Sequence, residues 1–165
     1  MSSESRSRDE GPLLGGLLRV CWQEVRRRIQ RDLVANGYGD IGAAHLAVFQ
    51  YPSPRGMRVT ELAERAGMSR QAMTYLIAEL EERSYVERRP DPLDGRASLV
   101  DLTERGEEAI TAIRASVRRL EREWEVQLGR SRFGQFREAL QVLTASLNDD
   151  GRAPSGGAAE RGSGR

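Results

Sequence analysis

A mainly α chain with a small β-hairpin is what this sequence predicts, and three observations carry the prediction. Apolar residues recur at helical spacing over long stretches near both ends of the chain. Between them, Thr60–Leu80 reads as two short helices separated by Gly67 and Ser69. After Ser84 the apolar period changes, and the segment Pro90-Asp91-Pro92-Leu93-Asp94-Gly95-Arg96 is made of turn formers. Together these give a winged helix-turn-helix module, residues 57–102, flanked by long helices suited to a dimer interface.

In chain order, residues 1–11 are polar and read as a disordered tail. From Pro12 a helix is expected to about residue 36. Its apolar stripe is Leu14, Leu17, Leu18, Cys21, Val25, Ile29 and Leu33, with Arg19, Arg26, Arg27, Arg28 and Arg31 opposite. Gly37 and Gly39 end it. Asp40 is the expected cap of a short second helix, Ile41 to Gln50, which stops before Pro52. In the module the first helix runs from Thr60 to Ala66 and buries Leu62, Ala63 and Ala66. Gly67 supplies the left-handed exit, and Ser69 caps the second helix. That helix buries Ala72, Met73, Leu76, Ile77 and Leu80 and turns Arg70, Gln71, Thr74 and Tyr75 outward. Val86, Leu99 and Leu102 belong to the two hairpin strands. A long helix over 103–128 carries Ile110, Ile113, Val117, Leu120, Trp124 and Leu128. Gly129 breaks it, and Ser131 is the expected cap of a last helix, 131–148, with Phe133, Phe136, Leu140, Leu143 and Leu147 on its seam. Residues 149–165, rich in Gly, Ser, Ala and Arg, read as a second disordered tail. The terminal stripes exceed what the small module can cover, and homodimerisation through those helices resolves this.

Composition excludes several classes. The 165 residues suffice for one domain of ordinary size, and 31% charged against 38% hydrophobic suits a soluble protein. No apolar run reaches the ~20 residues of a membrane span, and the polar start lacks a signal-peptide core. A cytoplasmic location is expected, with no membrane partner. One cysteine and one histidine make neither a disulfide framework nor a His/Cys metal cluster. No nucleophile–base constellation, Gly-rich phosphate loop or metal motif points to an enzyme, a cofactor or a metal. The net charge of +1 announces no nucleic-acid partner, and all 26 basic residues are arginine, which coding bias accounts for.

The central stretch nevertheless has the parts of a DNA reader, with double-stranded DNA as the expected partner. A second helix docked in the major groove places its N-terminal residues at base edges. Arg70 suits guanine and Gln71 adenine, while Ser69, Thr74 and Tyr75 can donate to phosphates. Arg96, after Gly95 at the hairpin tip, can enter the minor groove. Asp94 is expected to hold Arg96 or its neighbours by an ion pair, and Arg88 and Arg89 to meet the flanking backbone. From Met57 to Asp101 there are seven arginines and nine acids, a net of −2, so placement must do what total charge does not.

The run Val59–Gly106, VTELAERAGMSRQAMTYLIAELEERSYVERRPDPLDGRASLVDLTERG, resembles the MarR family of winged-helix transcriptional regulators. With two helices before and two after, the likeness extends over residues 12–147. It implies an obligate homodimer built from the first and the last two helices, and recognition helices ~34–36 Å apart on a palindrome. It also implies repression, relieved when a small lipophilic or phenolic effector enters a cleft between the dimer interface and the winged module. Trp22, His45 and Tyr51 are the candidates to line that cleft; packing at the interface is the other reading for Trp22, and a structural role for His45. Cys21 is either a small buried hydrophobe or a redox switch, and it lies some five residues further in than the reactive cysteine of oxidant-sensing members. The wing pattern Asp-x-Arg-Asp-x-Arg is changed, with Leu93 at the first arginine position. A dimeric interaction module without DNA binding, or a Cys21-based redox-sensing regulator, is the alternative function.

Overall fold

The computed structural model describes residues 11–50 and 56–150. It contains two compact units, one ending at Leu120 and one beginning at Glu121. The expected tails therefore fall almost entirely outside the described residues, as does Tyr51.

The first unit opens with α1, Leu14–Ala35, whose C-terminal half reaches the core through Val25, Ile29 and Leu33. Next come α2, Leu46–Phe49; strand β1, Met57–Arg58; α3, Val59–Arg65; and α4, Arg70–Glu82. Strands β2, Val86–Asp91, and β3, Asp94–Leu102, form the hairpin, and α5, Glu104–Leu128, begins directly after it. The second helix is shorter than expected. Residues 41–42 are irregular and 43–45 a turn, and Asp40 caps nothing: its carboxylate accepts from the Tyr85 hydroxyl (2.6 Å) and from Arg105 (3.2 Å). A buried tyrosine hydroxyl needs such a partner, and this one outcompetes the cap.

The sheet has three antiparallel strands in the order β1-β3-β2. The third strand was not expected: Met57 pairs with Val100 and Arg58 with Leu99. Two residues carry no readable period, so only the edge offered by β3 defines them. The hairpin is also tighter than expected, with Pro90 and Asp91 in β2 and Pro92-Leu93 as the turn. A register shift between Pro90 and Asp91 takes the pairing from Ser98 to Asp94, leaving residues 95–97 as a bulge.

One core unites the first unit. Met73, Ile77 and Leu80 of α4 are fully buried with Leu33, Ile41, Leu62, Ala63, Tyr85, Val86, Ala109 and Ile110. Two knots fasten it. Asp32 of α1 accepts from Ser116 Oγ and Arg119 of α5, both at 2.6 Å, and these bonds, the serine's first, lower its pKa. At the start of α5, Thr103 Oγ1 donates to the Ser84 carbonyl (2.6 Å) and accepts from Gly106 N–H (3.1 Å), capping the helix. Gly106 lies so close to the chain entering β2 that a Cβ there would stand 2.1 Å from the Tyr85 carbonyl oxygen.

In the second unit Gly129, at φ +83°, separates the end of α5 from α6, Arg130–Asp150. The expected cap at Ser131 is corrected: it lies inside α6, because the helix starts immediately after the glycine and Phe133 N–H already reaches the Gly129 carbonyl (3.0 Å). Phe136, Leu143 and Leu147 of the predicted seam are exposed in this chain, as are Leu14, Leu17 and Leu18 of α1. Among the described residues no helix is long and apolar enough to cross a membrane.

Candidate nucleic-acid interface

Local chemistry sets α4 in place. Gly67, at φ +62°, ends α3; Met68 N–H returns to the Ala63 carbonyl (2.9 Å) and Gly67 N–H to Glu64 (3.1 Å). Two residues later the Ser69 Oγ accepts from Ala72 N–H at 3.1 Å and opens α4. Met73, Leu76, Ile77 and Leu80 then lock one face into the core, so the opposite face is presented rigidly.

On that face Arg70, Gln71, Thr74 and Tyr75 are exposed, as expected. Arg70 and Gln71 make no side-chain hydrogen bond or ion pair among the described residues, which leaves their donors available to a ligand. Thr74 differs: its hydroxyl proton goes to the Arg70 carbonyl (2.8 Å), so it meets an incoming group chiefly as an acceptor. The Tyr75 hydroxyl leans toward Glu79 at 3.4 Å. An open recess lined by Met68, Ala72, Tyr75 and Leu76 runs beside Gln71.

The hairpin corrects three expectations. Arg88 Nε is 3.2 Å from a Glu81 carboxylate oxygen and Arg89 Nε 3.0 Å from Asp101, so both are engaged inside the chain rather than held out to a backbone. Asp94 does not pair with the Arg96 guanidinium; its Oδ1 accepts the Arg96 backbone N–H at 3.1 Å. The Arg96 side chain is exposed beside Gly95 and has no ion pair among the described residues.

The anchor of the hairpin is a pair that sequence reading missed. Arg58 donates through Nε to Asp91 Oδ2 at 2.8 Å, while Asp91 Oδ1 accepts the Leu93 backbone N–H at 2.9 Å. Asp91 is 6% exposed. The Leu93 amide first, and Arg58 second, hold its carboxyl below the usual range. The Asp-x-Leu spacing was a readable sign of the turn. The partner 33 residues upstream was not, since it depends on strand β1.

Two of the three candidates for an effector cleft lie among the described residues. Tyr51 lies outside the described residues, and Trp22 is exposed on α1. His45, 5% exposed, is spent on the fold: Nδ1 accepts from Gly42 N–H (2.8 Å), so the proton on Nε2 faces Glu79 Oε2 of α4 (3.0 Å). That bond leads the lowering of the Glu79 pKa. Cys21 is exposed, which removes the buried-hydrophobe reading for the single chain.

The MarR family model matches residues 46–97, a stretch that holds α3, α4 and β2. Over those residues the chain is similar to the MarR family. An HTH-type transcriptional regulator of Mycobacterium tuberculosis (strain CDC 1551 / Oshkosh) is 34% identical over 92 residues, 53% of this chain; the chain spans 62% of the length of that relative. Among solved structures, CouR from Rhodococcus jostii RHA1, bound to p-coumaroyl-CoA, is 25% identical with a TM-score of 0.64, over 86% of this chain and 95% of its own. The MarR-family protein Rv2887 of M. tuberculosis, in complex with salicylic acid, is 25% identical with a TM-score of 0.60, over 81% and 98%.

Proposed function

We propose that this chain is a sequence-specific, DNA-binding transcriptional regulator of the MarR type, cytoplasmic and without enzymatic activity. It acts as a homodimer on a palindromic operator, chiefly as a repressor. The observation that carries the reading is the first turn of α4, where Arg70 and Gln71 stand exposed and, among the described residues, unpaired on a helix whose other face is fixed in the core. A reading head needs that combination, because free donors discriminate bases only when their backbone is held still. Ser69, Thr74, Tyr75, Gly95 and Arg96 complete the contact surface. Asp94 shapes the tip, Arg88 acts through its ion pair to Glu81 of α4, and Arg89 through its pair to Asp101 across the hairpin.

Dimerisation is supported by the exposed leucines of α1 and by Phe136, Leu143 and Leu147 of α6. Leaving so many large apolar side chains in water is unfavourable, and a second copy is the natural cover. A phenolic effector is supported by p-coumaroyl-CoA and salicylic acid in the two relatives.

Selection of bound sites from random duplex DNA with the full-length protein tests the reading. Enrichment of a palindrome, bound by a dimer in sedimentation, is the expected result. Failure to enrich any sequence would favour an interaction module.

A further inference from the structure

Leu93 is the most exposed large apolar side chain among the described residues, at 93%. It stands at the tip of a built turn. Its own N–H is held by the buried Asp91, and Asp91 is held by Arg58 at the start of the helix-turn-helix. Pro92 before it fixes one backbone torsion. Arg96, unpaired among the described residues, sits in the bulge just after it. An isolated surface leucine needs no explanation; a leucine at the apex of a hairpin with a charge-anchored base is positioned.

Resting on the DNA-binding reading, we propose that Leu93 is an apolar wedge that the wing presses into the operator's minor groove, with Arg96 beside it as the cationic contact. Apolar side chains set against a base step unstack it partly and bend the duplex. The bend is easiest at flexible pyrimidine–purine steps such as TA and hardest in stiff A-tracts. An arginine acting alone has the opposite preference, since the narrow A-tract groove concentrates negative potential. Substitution of Leu93 for the wing arginine of the family pattern thus changes what the wing reads, from groove width to step flexibility. The anchor matters for the same reason: a wedge transmits force to the base step only if its turn does not yield.

The test uses full-length protein and the selected palindrome, with the wing-facing flank built either around a TA step or as an A-tract of equal A·T content. Duplexes labelled at both ends report bending by energy transfer. The wild type should prefer the TA flank by about tenfold, the gain expected from burying roughly half a leucine side chain, and should bend it. L93A should lose most of that preference and the bend, while L93M should keep both. All three should melt alike, because the side chain touches almost nothing in the fold. Equal flank preference in wild type and L93A, or a shared preference for the A-tract, overturns the wedge and leaves the DNA-binding reading standing. Self-association that L93A abolishes without changing DNA bending assigns the tip to a contact between copies and also overturns it. Absence of any enriched duplex overturns the DNA-binding reading and the wedge with it.

Discussion

Replacing Gly106 with alanine should destabilise the protein, although glycine-to-alanine changes inside a helix usually do the reverse. In an open helix position the substitution gains about 0.5–1 kcal/mol, because glycine loses more backbone freedom on folding. At Gly106 the new Cβ would stand 2.1 Å from the Tyr85 carbonyl oxygen and 3.2 Å from a Leu102 methyl, where real Cβ atoms keep at least 3.0 Å. The oxygen belongs to the backbone, so no rotamer change relieves the clash. The first turn of α5 must withdraw by about 1 Å, at an overpacking cost of roughly 1–3 kcal/mol. The movement also stretches the Thr103 N–H bond to the Tyr85 carbonyl (3.1 Å) and the Thr103 hydroxyl bond to Ser84 (2.6 Å), each worth about 1 kcal/mol. The net expectation is about 2–4 kcal/mol, seen as a fall in Tm of about 5–12 °C at fixed protein concentration. Circular dichroism melts in the far ultraviolet measure it. A variant as stable as the wild type, or more so, would refute the close approach of α5 to β2 and with it the packing that sets the wing base.

Three further outcomes follow from the same contacts. Arg70→Ala and Gln71→Ala should each cost about 1–3 kcal/mol of operator affinity and relax base preference at one defined position of the selected site; unchanged binding by both would remove α4 as the reading helix. Asp91→Asn should loosen the wing, visible as faster hydrogen exchange at Leu93. Because the Asp91 carboxyl titrates lower in the folded chain than in the unfolded one, its stabilisation is complete above the ordinary carboxylate pKa and is lost as pH falls through the folded value. The Tm gap between the wild type and the Asp91→Asn variant should therefore be full at neutral pH and shrink at acid pH, and a constant gap would contradict the ion pair. Ser84 holds a left-handed φ of +59° at the end of α4. Ser84→Gly should stabilise by about 0.5–1 kcal/mol in thermal melts, and a loss would mean that the serine has an unrecognised role.

Sequence alone determined the order of the two helices and the hairpin in the winged module and the face of α4 that is turned outward. Both are local: helical period, the Gly67 exit and the Ser69 cap act within a few residues and need no distant partner. It also made plain that the terminal helices carry more apolar surface than one chain buries, since periodicity counts that surface directly. Tertiary structure alone decided the functional details. Strand β1, the Arg58–Asp91 anchor and the engagement of Arg88, Arg89 and His45 inside the fold all join residues that lie from 7 to 43 positions apart. Ion pairs and short edge strands leave no periodic trace, because their partners are chosen by where the chain returns in space. For the same reason Arg70 and Arg96, without an ion pair among the described residues, became distinguishable from the paired Arg88 and Arg89 only in three dimensions.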